Sequence, residues 1–351
     1  MKIVVTGATG NVGTSVLRAL GGDPRVTEIV GIARRAPAHA FARTRFVQAD
    51  VAEADLVAHF TGAAAVIHLA WLIQPSRDEP ETERVNVAGS ERVFRAAAES
   101  GAGALVHASS VGAYTAGPKD RAVDETWATD GIPTSFYSRH KAAAERALDA
   151  LELAHPRLRV VRLRPGIILK REAGAEIRRL FAGPFLPSPL LRPGLLALVP
   201  DTPGLRFQVV HGDDVGEAYR RAALEDRAHG AYNVAAEPVL DPDVLARALG
   251  ARKVPVPARA LRAAAGVTWK ARLQPTPPGW VDLALGVPIM DTSRIRDELG
   301  WAPRHSATDT LLELLGGMRD SAGLDTPPLD PSAGGPFRMR ELLTGVGRRT
   351  P

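Results

Sequence analysis

Short apolar runs alternate with longer amphipathic stretches through the first half of the chain. Val4-Val5, Ile29 to Ala33, Phe46-Val47, Ala64 to Leu69, Ala104 to His107 and Leu158 to Leu163 read as strands. Between them, Asn11 to Leu20, Asp55 to Phe60, Thr82 to Glu99 and Ser138 to Glu152 carry helix-like patterning. Strands that are apolar throughout are buried on both faces, and their regular exchange with helices predicts a parallel sheet covered on both sides. The expected fold is α/β with a doubly wound parallel sheet.

After Arg164 the regularity is lost, and Pro184, Pro187, Pro189, Pro193, Pro200 and Pro203 crowd one irregular stretch. "FQVVHGDDVGEAYRRAA" then reads as strand, turn and helix, and "AYNVAA" as a further strand. The organisation expected is a nucleotide-binding domain over 1–165, with 206–238 returning to it. A smaller C-terminal substrate-binding lobe is assigned to 166–205 and 239–325, and a loosely attached Pro/Gly-rich tail to 326–351.

Composition narrows the class. With 45% hydrophobic and 24% charged residues the chain has the balance of a globular protein. The absence of cysteine excludes disulfides, thiolate zinc sites and cysteine nucleophiles, and suits a reducing compartment, so a cytoplasmic location is expected. No run reaches ~18 uninterrupted apolar residues, so no membrane span is expected. The formal charge of +5 comes from 44 Lys and Arg interleaved with 39 Asp and Glu. The densest basic cluster, Lys170, Arg171, Arg178 and Arg179, also fits a solvated helix face, so no nucleic-acid partner is expected.

Candidate chemistry begins at "VVTGATGNVG", Val4 to Gly13. Gly7, Gly10 and Gly13 lie three apart between the first strand and the first helix. Glycine there permits a tight turn, close ligand approach and close helix packing, while backbone amides at the helix start favour a pyrophosphate. At the end of the second strand, "GIARR" places Ala33 where an acid would hold ribose hydroxyls, followed by Arg34 and Arg35. Arginine there pairs with a 2′-phosphate, so NADP(H) is preferred and NAD(H) stays open, as does the reading of two solvated arginines. Asp50, ending the third strand in "QADVAEAD", can accept from an adenine amino group with Val51 beside the ring, or can cap a helix. "VIHLAW" brings Leu69 and the small Ala70 to the crevice where the strand order is expected to reverse.

"ASSVGAY" and "YSRHK" carry the catalytic candidates Ser110, Tyr137 and Lys141. Tyr137 and Lys141 are four apart on one helix face. A tyrosine titrating near ~10 is a poor acid or base at neutral pH, and the neighbouring ammonium together with an oxidised nicotinamide is expected to lower that value. Ser110 would hold the substrate oxygen. His68, His107 and His211 share no ligand spacing, so no metal is expected.

With these motifs in order, the chain resembles the extended short-chain dehydrogenase/reductases of the NAD-dependent epimerase/dehydratase family, from Met1 to about residue 315. "TGATGNVG", including Asn11 and Val12, is similar to that family's glycine motif, "HLAW" to its HLAA segment and "NVAGS" to its Asn-containing helix motif. "SSVGAY", "YSRHK", "RPGIIL" and "HGDDVGEA" match the later segments. The resemblance implies a Rossmann-type fold, Tyr137 as acid/base and Lys141 on the nicotinamide ribose. It further implies Asn86 and Pro165 near the cofactor, and a homodimer paired through two helices.

The departures bear on substrate. Val111 and Gly112 replace the Asp-Glu pair of family dehydratases. Phe207 stands where epimerases often carry a diphosphate-binding arginine, with Arg206 one position early and so on the opposite strand face. Lys170, Arg171, Arg178 or Arg179 could serve instead. Trp71 replaces the second alanine of HLAA, as a crevice wall or as core. The reading is an NAD(P)(H)-dependent oxidoreductase acting on a carbonyl or secondary alcohol of a small organic molecule. The alternatives are a nucleotide-sugar epimerase and a non-catalytic NADP(H)-binding sensor.

Overall fold

The computed structural model describes residues 1–183, 198–335, 340 and 346–347. In chain order the strands are β1 (Lys2–Thr6), β2 (Glu28–Ala33), β3 (Thr44–Gln48), β4 (Ala65–His68), β5 (Ala104–Ala108), β6 (Ala122–Val123), β7 (Arg159–Pro165), β8 (Ile167–Leu169), β9 (Leu198–Asp201), β10 (Phe207–His211), β11 (Gly230–Val234), β12 (Ala236–Leu240), β13 (Arg252–Pro255) and β14 (Ile289–Met290). The helices are α1 (Asn11–Gly21), α2 (Val57–Phe60), α3 (Glu79–Glu83), α4 (Gly89–Glu99), α5 (Phe136–Ala154), α6 (Gly174–Ile177), α7 (Gly212–Leu224), α8 (Pro242–Leu249), α9 (Ala258–Lys270), α10 (Gly279–Gly286), α11 (Ser293–Leu299) and α12 (Ala307–Arg319).

Seven strands form one parallel sheet in the order β11-β7-β5-β4-β1-β2-β3. The order reverses at β1, so the carboxyl ends of β1 and β4 flank a crevice, with Thr6 opposite His68. Successive β1 residues point to opposite faces. Ile3 and Val5 join one buried cluster with Leu17, Leu20, Tyr219 and Trp301. Val4 joins the other with Val66, Val93, Phe94, Leu105 and Leu148. This double burial is why the strands are apolar throughout.

The helix expected from Thr82 to Glu99 runs from Glu79 to Glu99 but is interrupted by a π-helical turn over Arg84–Ala88. That turn turns Asn86 inward, where its amide clamps Leu72: Nδ2 donates to Leu72 O (2.8 Å) and Oδ1 accepts from Leu72 N (2.7 Å).

Two expectations are corrected. β10 does not return to the large sheet; it forms a separate three-stranded sheet, β12-β10-β8, packed against α12 through Val209, Leu240 and Leu314. Of 206–238, β11 joins the large sheet, and α7 packs its Val215 and Tyr219 into the same core as α1. The start of the tail is not loose. Thr326 and Leu329 are 1% and 0% exposed, because Leu324 and Leu329 anchor a turn closed by Leu329 N to Thr326 O (3.0 Å). Pro184, Pro187, Pro189 and Pro193 lie outside the described residues. No helix among the described residues is long and apolar enough to cross a membrane.

Candidate active site

The turn from β1 into α1 is built as the glycine spacing requires. Gly7 has φ +70°, and a Cβ on it would lie 2.6 Å from Ala70 N, so a side chain there would strike the end of β4. Gly13 meets the turn itself, since its Cβ would fall 2.4 Å from Gly7 O. Gly10, where a Cβ would make only an ordinary contact with Gly7 O at 3.6 Å, lines a cavity of about 250 Å³ at the crevice. α1 has no acidic residue in its first turn. Lys170, fully buried, donates from Nζ to Asn11 O (2.7 Å), Thr14 Oγ1 (2.7 Å) and Ser15 Oγ (3.0 Å), adding positive charge beside the helix start. Burial pushes its ammonium down to about 8. These features fit a pyrophosphate.

Arg34, Arg35, Asp50, Val51, Leu69 and Ala70 line the same cavity. Asp50 Oδ1 also accepts from Ala52 N (2.9 Å), closing a turn; it caps no helix, since the next one begins at Val57. The remaining expected cofactor residues do not line the cavity. Asn11 donates from Nδ2 to Ile168 O (3.1 Å), Val12 packs on the core, and Gly13 sits behind the turn. Pro165 pairs with Val234 in the sheet, and Asn86 acts at one remove by holding Leu72, which does line the cavity.

Ser110, Tyr137 and Lys141 come together next to the cavity rather than in its wall. Ser110 ends the loop after β5, its Oγ accepting from Gly112 N (3.0 Å). Ser135 caps α5, so Tyr137 and Lys141 fall in the first turns. Lys141 Nζ donates to Ala108 O (2.6 Å) and lies 3.3 Å from the centroid of Trp71, against 5.8 Å from that of Tyr137. Trp71 therefore joins the two regions: it lines the cavity and stacks edge-on to Tyr137, with centroids 6.1 Å apart. On its other side Tyr137 meets Trp280 at 5.0 Å.

The expectation that Lys141 lowers the Tyr137 pKa is not met in this structure. Burial raises it, with the Ser110 side chain pulling the other way, and burial holds Lys141 well below an ordinary lysine despite Glu145. The ammonium is engaged by the Trp71 face and the Ala108 carbonyl.

Residues that local motifs missed support this cluster. Glu145, one helical turn after Lys141 and 1% exposed, accepts from Ser109 Oγ (2.5 Å), Arg162 Nη1 (3.1 Å), Arg164 Nε (2.9 Å) and Arg164 Nη2 (3.0 Å). Arg164 Nη1 continues to Tyr114 Oη (3.1 Å), which donates to Asn233 Oδ1 (2.6 Å). The signal was the spacing of Tyr137, Lys141 and Glu145 at i, i+4 and i+8.

The other candidates resolve as structure. His68 bridges Thr6 Oγ1 (2.7 Å) and Ser90 Oγ (2.9 Å), and burial keeps it and His107 neutral. Asp214 accepts from His305 N and Nδ1, each at 3.0 Å, and Asp213 from Ser15 Oγ (2.8 Å). No metal-ligating cluster occurs among the described residues. Arg206 donates to the Lys119 carbonyl, and Arg171 pairs with Asp320 (2.7 Å), whereas Arg179 lines the cavity.

The sheet order and the glycine turn define a Rossmann-type α/β protein. Residues 3–174 match the model of the NAD dependent epimerase/dehydratase family, so this stretch of the chain is similar to that family of enzymes. The uncharacterized protein Rv2047c of Mycobacterium tuberculosis is 29% identical over 326 residues, 92% of this chain and 31% of that protein. The chain thus spans about a third (31%) of the length of the curated relatives it first matches. Among solved structures, UDP-glucose-4-epimerase from Stenotrophomonas maltophila, with bound NAD and formylated UDP-arabinopyranose, matches with TM-score 0.68 at 21% identity over 91% of this chain and 98% of that one. DesIV, a dTDP-glucose 4,6-dehydratase from Streptomyces venezuelae with NAD and TYD bound, matches with TM-score 0.65 at 21% identity over 91% and 97%. At these identities the likeness is one of fold.

Proposed function

We propose that this protein is an NADP(H)-preferring oxidoreductase that interconverts a carbonyl and a secondary alcohol on a small, largely apolar molecule. The observation that carries the reading is the contact of Gly112 with Tyr137 inside the Ser110, Tyr137 and Lys141 cluster. A Cβ at position 112 would lie 2.9 Å from Tyr137 Cε1, so the acid that a dehydratase places there has no room. Trp71 and Trp280 wall Tyr137 with apolar surface, joined by Ile132, Leu283 and Val287.

Gly7 and Gly10 with the start of α1 would hold the pyrophosphate, and Arg34 and Arg35 the 2′-phosphate. When bound, the nicotinamide supplies or takes up the hydride. Ser110 fixes the substrate oxygen, and Tyr137, kept protonated by its raised pKa, donates its phenolic proton to that oxygen as the carbonyl is reduced. The aromatic walls exclude water from the proton transfer.

The test is a fluorescence titration of NADPH and NADH on the wild type and on a variant carrying Arg34→Ala and Arg35→Ala. NADPH is expected to bind about 10–100-fold more tightly than NADH, the worth of charge-assisted hydrogen bonds, and the variant to lose that advantage. If neither nucleotide binds, the reading is wrong.

Glu176 adds a pH dependence. It lines the cavity, and burial raises its carboxyl to about 7 against the pull of Arg179 and Lys170. Below that pH the group is neutral; above it a carboxylate faces the phosphates. Cofactor affinity is therefore expected to fall as pH rises through about 7. Glu176→Gln should flatten the profile, binding more tightly than wild type at high pH and equally at low pH.

A second reading, nucleotide-sugar epimerase, draws on the sugar nucleotides bound in solved structures of this fold. Arg206 does not serve it, because its guanidinium is turned to Lys119. Carbonyl-dependent NADPH oxidation, without interconversion of UDP-sugars, would separate the two.

A further inference from the structure

Three arginines line the cavity from two parts of the fold. Arg34 and Arg35 follow β2, and Arg179 comes from the π-helical turn Arg178–Ala182 of the second lobe. None of the three forms a salt bridge with a described residue, and Arg34 and Arg35 make no hydrogen bond to one. Arg35 is held below an ordinary arginine by burial and by repulsion from Arg34 and Arg179. Three cations share this cavity wall with one carboxyl, Glu176, which burial holds largely neutral up to about pH 7, and cations so gathered form a site for an anion.

Arg179 has a second attachment. Its Nη2 donates to Pro328 O (2.5 Å), in the segment where the sequence suggested a free tail. Pro327, Pro328 and Ala333 line the cavity, and so do Val346 and Gly347, which Arg77 holds through Val346 O (3.0 Å) and Gly347 O (3.0 Å). His39 N donates to Asp325 O (3.0 Å), tying the segment back to the loop after β2. These C-terminal residues thus share the cavity wall with Gly7 and Gly10.

We propose that Arg179 is a cofactor-specificity residue, completing with Arg34 and Arg35 the site for the 2′-phosphate, and that it latches the segment Thr326–Ala333 over the bound nucleotide. The inference rests on the NADP(H) reading above. Selection for the 2′-phosphate is then shared between the two lobes, and the cofactor is enclosed instead of lying in an open groove.

The test uses the full chain and binding, not turnover. NADPH and NADH affinities are measured by fluorescence titration, and amide hydrogen exchange of 324–335 with and without NADPH, on wild type, Arg179→Ala and Arg179→Gln. NADPH should slow exchange at Leu329, Asp330 and Ala333 in the wild type. Both variants should lose roughly 10–100-fold in NADPH affinity with NADH affinity little changed, the scale of a charged hydrogen bond to phosphate. Arg179→Gln, which keeps a donor for Pro328 O, should retain more of the exchange protection than Arg179→Ala. Should Arg179→Ala misfold, the glutamine variant carries the comparison alone. NADPH binding that both variants leave unchanged, or that leaves exchange in 324–335 unaltered, overturns the inference alone. No NADPH binding by the wild type overturns the functional reading and this inference with it.

Discussion

Tyr137→Phe is expected to abolish nearly all turnover while leaving cofactor affinity unchanged. The substitution removes one hydroxyl and keeps the ring between Trp71 and Trp280, so the packing that shapes α5 survives. On the proposed function what is lost is the proton delivered to the substrate oxygen, and removing a positioned general acid lowers kcat by about 10²–10⁴-fold. Tyr137 does not line the dinucleotide cavity, so NADPH should titrate this variant as it does the wild type. Single-turnover NADPH oxidation with an apolar ketone, set beside a fluorescence titration of the same preparation, makes the comparison. Turnover within a few-fold of wild type would remove Tyr137 from the chemistry and return the reading to a protein that binds the nucleotide without reacting it.

How much of this site was legible depended on how local each signal was. The glycine turn, Arg34 and Arg35, and the pair Tyr137 and Lys141 are short-range patterns with a steric or periodic reason, and their residues stand where that reason places them. The sign of the Tyr137 pKa was not legible. Spacing brings an ammonium near the ring, but only the fold shows how deeply Tyr137 is buried and that the Lys141 ammonium lies closer to the face of Trp71 than to that of Tyr137. β10 carries a strand pattern equally suited to either sheet, and it is its pairing with β8 and β12 that assigns it to the small one. Similarly, Pro and Gly around Leu329 read as a loose tail, because the partners that bury it, such as His39 and Arg179, lie more than a hundred residues away in the chain.

Glu145 shows the same limit and carries the largest expected loss of stability. Its carboxylate joins α5 to β7 and to the serine loop. Burial opposes the charge, yet Arg164 and Arg162 hold the carboxyl below its ordinary pKa. In Glu145→Ala, Arg164 and Arg162 keep their charges, and Arg164 loses its salt bridge among the described residues, so two buried guanidinium groups lose the anion they share. Removing one partner of such a buried pair costs about 3–5 kcal/mol, more than the pair's own net worth, because the remaining charge is left desolvated. In a chain of this length that corresponds to a fall in Tm of about 4–7 °C. Glu152→Ala is the control. It removes a carboxylate from the same Arg162, but one 37% exposed, where an ion pair is worth at most about 1 kcal/mol. Thermal melts of the two variants should therefore separate clearly, and equal melting temperatures would show that Glu145 is not the anion on which this layer depends. Since Glu145 also accepts from Ser109, next to Ser110, a surviving fraction of the variant should show a lower kcat with unchanged NADPH affinity, tying the buried pair to the placement of the serine loop.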